Sequence, residues 1–334
     1  MAHAAIVATS VLLAGTAQAD FKPLDGDPKE LNFGIISTES TSNLKAQWLP
    51  FLEAMENQLG MKVNAFFAPD YAGIIEGMRF GKVHVAWHGN KSGMEAVDRA
   101  GGEVFAQTSK QQDGTEGYYS HIITQANNDR INNLQDLFGS CDKSLDFGIG
   151  DPNSTSGFLV PSYYAFAQNG IDPKKCFKTV RNANHETNLM AVANGQVDAA
   201  ANNSEQINRS TMKAPEAAAK IKVIWTSPLI PNDPIVYRRD LSKELRSRIK
   251  GFFLGYGRFG TPEQIAEANR VLGGMSDGFG HFLESNNTQL LPIRQLALFK
   301  DRLTVEAGNA SDKAAKLEMI DRELDLVAQM VKGF

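Results

Sequence analysis

The sequence predicts two α/β domains, one inserted in the other, joined by two chain crossings that act as a hinge. Three observations carry this. Strand-like and helix-like runs alternate from residue 31 to residue 87, the pattern of a parallel sheet covered by helices. The alternation recurs in the middle of the chain. Two connections, residues 118–123 and 229–235, carry aromatic and proline residues and separate the repeats. Paired crossings of this kind make a hinge.

The elements follow in order. Residues 31–36 (Leu-Asn-Phe-Gly-Ile-Ile) read as a first strand. Leu44, Trp48, Phe51, Leu52, Met55 and Leu59 recur at helical spacing, with Pro50 inside the pattern as a potential kink. Residues 62–67 read as a second strand, 71–79 as a short helix and 83–87 as a third strand. Residues 145–149 open the second set, followed by a helix over 158–168 and a strand near 178–180. The segment from Gly81 to Asn90 parallels that from Gly195 to Asn203. In each, a helix ends at Gly, a short strand follows, and polar residues stand at its carboxyl end. Ligands of open α/β sheets bind outside those ends. The predicted boundaries are 27–118 with 236–334 for the first domain and 119–235 for the second.

The most informative local segment is Gly150-Asp151-Pro152-Asn153-Ser154-Thr155-Ser156-Gly157, between a strand and a helix. The first N–H groups of a helix lack internal partners and face outward at the positive end of its dipole. Ser154, Thr155 and Ser156 add hydroxyl donors, and Gly157 permits close approach to the backbone. A plain helix cap needs one hydroxyl; three in a row predict a cradle for a phosphate-like anion.

Residues 1–19 contain no Lys, Arg, Asp or Glu; an apolar stretch over 4–15 precedes Ala17-Gln18-Ala19. This predicts a secretory signal peptide cleaved after Ala19 and a periplasmic protein, although the only basic candidate before the apolar stretch is His3. No later segment is apolar for long enough to cross a membrane. The net charge of −4 gives no basic field for nucleic acid. Neither the two cysteines nor the six histidines show metal-ligand spacing, so no metal or cofactor is expected.

Longer segments carry a resemblance. Asn32-Phe33-Gly34-Ile35-Ile36-Ser37-Thr38-Glu39-Ser40, Phe66-Phe67-Ala68-Pro69-Asp70-Tyr71-Ala72-Gly73, the segment from Gly150 to Gly157, His185-Glu186-Thr187-Asn188, Pro231-Asn232-Asp233-Pro234-Ile235-Val236 and residues 291–300 all contribute. Together they resemble the periplasmic phosphonate-binding component of ABC transporters over nearly the whole mature chain. The resemblance implies a type II periplasmic binding protein fold. It also implies delivery of an alkylphosphonate, 2-aminoethylphosphonate foremost, to an inner-membrane permease. It places Ser154, Thr155, Ser156, His185 and Tyr71 around the phosphonate, and Glu205, Asp233 and Tyr118 around the amine. His185 would donate a hydrogen bond and, if protonated, add charge. The likeness departs at His88, where the family has an aromatic residue, and at Asn202-Asn203-Ser204, which bears on ligand preference.

Other readings remain open from the residues alone. No Gly-x-Ser-x-Gly elbow occurs, yet a serine of the cradle with His185 as base would suit a hydrolase or transferase acting on a phosphonate or phosphate ester. A ligand-sensing partner of a membrane receptor is the third reading. Cys141 and Cys176 each precede a strand-like run of the second domain; they form a disulfide or remain two buried thiols. Leu317, Ile320, Leu324, Val327 and Val331 form a seam at alternating spacings of three and four. That seam serves either packing on the chain's own domain or a homodimer.

Overall fold

Three parallel strands, β1 (Leu31–Ile35), β2 (Val63–Phe67) and β3 (Val85–Trp87), begin the first lobe, with β1 between the other two. The computed structural model describes residues 21–110, 117–139 and 141–332; the signal peptide expected at 1–19 lies outside them. The helix Thr41–Leu59 covers β1 and β2. Pro50 lies inside it without ending it. Its apolar stripe is buried where expected, and Trp48 and Phe51 pack with Phe33 and Phe253 at ring separations of 5.2–6.2 Å. Burying each such ring contributes roughly 1.5–3 kcal/mol.

Strand β4 (Gly102–Gln107) then leads to a first crossing, β5 (Gly117–Tyr118), and on into β6 (Ser120–Gln125). The second lobe adds β7 (Asp146–Ile149), β8 (Thr179–Asn182), β9 (Ala199–Asn203) and β10 (Ile221–Thr226). The return crossing is β11 (Ile230–Pro231), followed by β12 (Pro234–Arg238); β13 (Leu283–Glu284) completes the first sheet. The two sheets have matching orders: β2-β1-β3-β12-β4-β13 in one and β8-β7-β9-β6-β10 in the other. In each, a strand arriving from a crossing runs antiparallel beside the third parallel strand, β12 on β3 and β6 on β9. The crossings themselves pair, Tyr118 opposite Ile230 and Gly117 opposite Pro231. The repeat between 81–90 and 195–203 is therefore a structural one. Gly81 and Gly195 occupy equivalent turns at φ 72° and 69°, a left-handed conformation that glycine adopts without steric cost.

The helix expected over 158–168 differs. It starts at Thr155 and is wound as two π turns, Thr155–Leu159 and Pro161–Phe166. Pro161 has no N–H to give to the preceding turn. The carbonyls this leaves are taken by other groups: Ser156 O accepts from Ser120 Oγ at 2.6 Å and Gly157 O from Gly150 N at 2.7 Å. The wider turn is thus fixed by tertiary partners.

Cys141 and Cys176 are joined in a disulfide with Cα atoms 4.2 Å apart, tying the approach to β7 to the approach to β8. At the C-terminus, helix Leu291–Ala307 touches both lobes. Arg294 pairs with Asp98 of the first at 2.6 Å, and Phe299 stacks on Tyr163 of the second at 6.2 Å. The last helix, Lys313–Lys332, packs on Leu291–Ala307. Leu317, Ile320 and Leu324 are half-buried and Val327 is buried. Val331, the last seam position, is exposed; the rest of the seam packs within the chain, so the homodimer expectation gains no support from the fold.

Candidate ligand-binding site

A small, narrow cavity lies between the lobes, where the carboxyl ends of both sheets face each other. Tyr71, Tyr118, Ser154, Thr155, Ser156, His185, Glu205 and Asp233, all singled out from the sequence, line it together.

At one end stands the first turn of the Thr155 helix. Each of its hydroxyls already accepts a hydrogen bond from a protein N–H. Ser154 Oγ accepts from Gly157 N at 3.0 Å, Thr155 Oγ1 from Lys91 N at 2.8 Å, and Ser156 Oγ from Asn203 Nδ2 at 3.2 Å. A hydroxyl whose lone pair is engaged this way keeps its proton for another acceptor. Three such protons around one helix N-terminus are a donor set for an oxyanion. Gly150 and Gly157 are needed for this turn. A Cβ on Gly150 would meet the Gly157 backbone at 2.6 Å, and one on Gly157 would lie 2.9 Å from Ser154 Oγ. Gly157 thus serves the close packing of the turn itself.

His185 starts the helix His185–Ala193 and is buried, with Nε2 3.5 Å from Ser154 Oγ and Nδ1 without a hydrogen-bond partner. Burial, with Arg209 nearby, lowers its pKa to about 3. With these neighbours alone the imidazole is neutral at physiological pH; an anion placed beside it would act the other way. The long contact to Ser154 and the absence of an orienting acid on Nδ1 do not make a nucleophile–base pair.

The opposite end is acidic. Tyr118 donates its hydroxyl hydrogen to Asp233 Oδ1 at 3.0 Å. Burial first, and then the charge of Glu205, push the Asp233 carboxyl well above the usual range. Glu205, on the helix Ser204–Lys213, receives the Lys110 ammonium at 2.6 Å. Tyr71 lies between the two ends at the N-terminus of the helix Tyr71–Arg79, and burial raises its phenol above the ordinary value, with Asp151 the next cause.

The sequence reasoning assigned no role to Thr38 or Asn203, which also line the cavity. Thr38 Oγ1 is buried without a partner, so it is a further donor facing the space. Its position just past β1, at a strand carboxyl end, was the available signal. His88 is fully buried and bonds Ser92 at 3.1 Å; it is not among the lining residues.

The lobes are closed on each other by polar contacts. Tyr71 N donates to Asp151 Oδ2 at 3.1 Å, Ser40 N to Glu186 Oε2 at 2.7 Å, and Arg209 meets Glu39 at 2.9 Å.

Matched lobes on two paired crossings, closed over a small polar cavity, define a periplasmic binding protein of the type II fold. The family described as the periplasmic substrate-binding protein of the phosphonate ABC transporter matches residues 33–290, and the chain belongs to it. The phosphonates-binding periplasmic protein of Escherichia coli K12 is 55% identical over 300 residues, which cover 89% of this chain and 85% of that protein. A phosphate-import protein of Mycolicibacterium smegmatis is 29% identical over 262 residues, 75% of this chain and 80% of its own length. A solved binding-protein component of an ABC phosphonate transporter from Pseudomonas aeruginosa superposes with a TM-score of 0.85 at 50% identity, covering 92% of this chain and 99% of that one. The protein is thus a phosphonate-binding transport component that works with a permease, and not an enzyme. No helix among the described residues is long and apolar enough to cross a membrane.

Proposed function

We propose that the cavity holds an aminoalkylphosphonate, 2-aminoethylphosphonate foremost, with its phosphonate on Ser154, Thr155, Ser156, His185 and Tyr71 and its ammonium toward Glu205, Asp233 and Tyr118. The observation that carries this is the polarity of the cavity: hydroxyl donors at one end, two carboxyl groups at the other. A zwitterion with an anionic head and a cationic tail offers each end its complement. Export by residues 1–19, with Asp20 as the mature N-terminus, belongs to the same reading.

Calorimetric titration with 2-aminoethylphosphonate, methylphosphonate and phosphate tests it. The amino ligand should bind most tightly. The ligand ammonium would draw the Asp233 carboxyl back to its ionised form, so Asp233→Asn and Glu205→Gln should each weaken the amino ligand far more than methylphosphonate, since loss of a buried charged partner costs about 2–5 kcal/mol, tens to thousands of fold. Equal losses for both ligands would remove the assignment of the amine end.

A further inference from the structure

Lys110 is not among the residues lining the cavity, yet its charge acts on both acids of the acidic end. It follows β4 on the first lobe, where it bridges to Phe279. Its ammonium lies 2.6 Å from Glu205 Oε1 and 2.5 Å from Asp277 Oδ1. The three side chains are only 12%, 9% and 5% exposed. Asp277 comes from the same lobe as Lys110, and Asn208 of the second lobe caps its other oxygen at 3.0 Å. Glu205 comes from the second lobe, so the Lys110–Glu205 pair spans the cleft.

The pairing raises a question of charge. Glu205 was read as a partner for a ligand ammonium, but it already has an ammonium from the protein. A ligand ending in a methyl group brings no cation. Without Lys110, closure over such a ligand would bury the Glu205 carboxylate unpaired, which is strongly unfavourable. With Lys110, the closed cavity tolerates an uncharged tail. Burial alone would lower the Lys110 pKa, but Glu205 and Asp277 raise it, so the ammonium stays charged.

We propose that Lys110 is a built-in counter-cation, a positioning residue that acts through Glu205 and lets one cavity accept both aminoalkyl- and simple alkylphosphonates. This rests on the reading of Glu205 as part of the amine end. Lys110 sets the breadth of the site: it relieves the need for a ligand cation and, by sharing Glu205, moderates the preference for one.

The test is calorimetric titration of wild type, Lys110→Met and the double variant Lys110→Met/Glu205→Gln with 2-aminoethylphosphonate and methylphosphonate. In Lys110→Met, methylphosphonate should weaken tenfold or more. The amino ligand, which brings its own ammonium, should weaken much less or tighten. The ratio of the two dissociation constants should therefore move at least tenfold toward the amino ligand. The double variant has lost the cross-cleft carboxylate, while Asp277 keeps its bond from Asn208 at 3.0 Å, so it should bind methylphosphonate clearly more tightly than the single variant does. If Lys110 only latches the lobes, both ligands weaken equally in the single variant and the ratio stands still; that result overturns the proposal. Should the single variant not fold, the triple variant Lys110→Met/Glu205→Gln/Asp277→Asn, which leaves no carboxylate of the group without a cation, decides, and loss of methylphosphonate binding there is equally fatal. A wild-type protein that binds methylphosphonate but not 2-aminoethylphosphonate overturns the amine-end reading itself, and this proposal with it.

Discussion

Thr155→Val changes the outline of the side chain little and removes its oxygen. Two consequences follow from the structure. The ligand loses one hydroxyl donor; hydrogen bonds to charged groups contribute about 1.5–3 kcal/mol. Lys91 N also loses its acceptor, now at 2.8 Å across the cleft. That N–H is only partly buried, so water meets part of its need and the loss is near the low end of the range for unsatisfied groups, about 1 kcal/mol. Both losses fall on the closed, liganded form. The sum, about 2.5–4 kcal/mol, corresponds to roughly sixty- to seven-hundred-fold weaker binding. Thr155→Ser keeps the oxygen and removes a methyl group, so it should bind within a few fold of wild type. Calorimetry with methylphosphonate and 2-aminoethylphosphonate should give the same fold-loss for both, because the headgroup is shared. Binding of the valine variant within threefold of wild type would refute the hydroxyl wiring, as would a loss confined to one ligand.

Two further predictions concern stability. The Cys141–Cys176 bond closes a loop with a sequence separation of 35, for which loop-entropy estimates give about 4 kcal/mol. The double serine variant should unfold at correspondingly lower urea, and an unchanged midpoint would show that the bond contributes nothing. His185, ordinarily near 6.5, titrates at about 3 through burial and the proximity of Arg209. Below pH 6.5 the unfolded chain therefore binds more protons than the folded one, and the stability present above that pH is lost as pH falls toward about 3. His185→Gln should flatten the stability slope between pH 6 and 4 by about 1.4 kcal/mol per pH unit, measured by denaturant unfolding; an identical slope would mean that the imidazole protonates freely in the folded protein.

What was legible in the sequence was what short segments encode by themselves. The apolar stripe of Leu44, Trp48 and Phe51, the glycine turns at 81 and 195, and the hydroxyl run at 154–156 specify their structures locally. The π winding after Ser154 was not legible, because it depends on Ser120 and Gly150 taking carbonyls that Pro161 leaves. Helical periodicity alone cannot distinguish the two windings over so few residues. Lys110 was missed for a related reason. Its partners Glu205 and Asp277 are 95 and 167 residues away, and nothing around Ser109 marks the lysine. The seam of the last helix shows the same limit from the other side. A three-four spacing states that a helix has a partner, without saying whether the partner is Leu291–Ala307 of the same chain or a second copy.

The division of labour between apolar and polar contacts bears on how such a protein can release its cargo. Much of the large apolar packing lies within a lobe: Phe33, Trp48, Phe51 and Phe253 in the first, Phe147, Phe166 and Phe177 in the second. The exception is the cluster of Tyr118, Leu159, Ile230, Ile293 and Leu296 beside the crossings. Across the mouth of the cleft the contacts are polar: Ser40 and Asn43 to Glu186, Lys91 N to Thr155, Arg209 to Glu39, Lys110 to Glu205. Groups of this kind exchange a protein partner for water when lobes part, so each contributes far less than its gross strength, about 0.5–1.5 kcal/mol net for a neutral hydrogen bond and about 1.5–3 kcal/mol for one to a charged group. Closure built from such exchanges leaves the open and closed forms near balance, and a ligand that bonds both lobes then decides between them. The anion end proposed above, made of neutral hydroxyls and an uncharged imidazole, fits the same logic: it would hold a phosphonate by several moderate bonds that all fail together when the Thr155 turn moves away from Lys91.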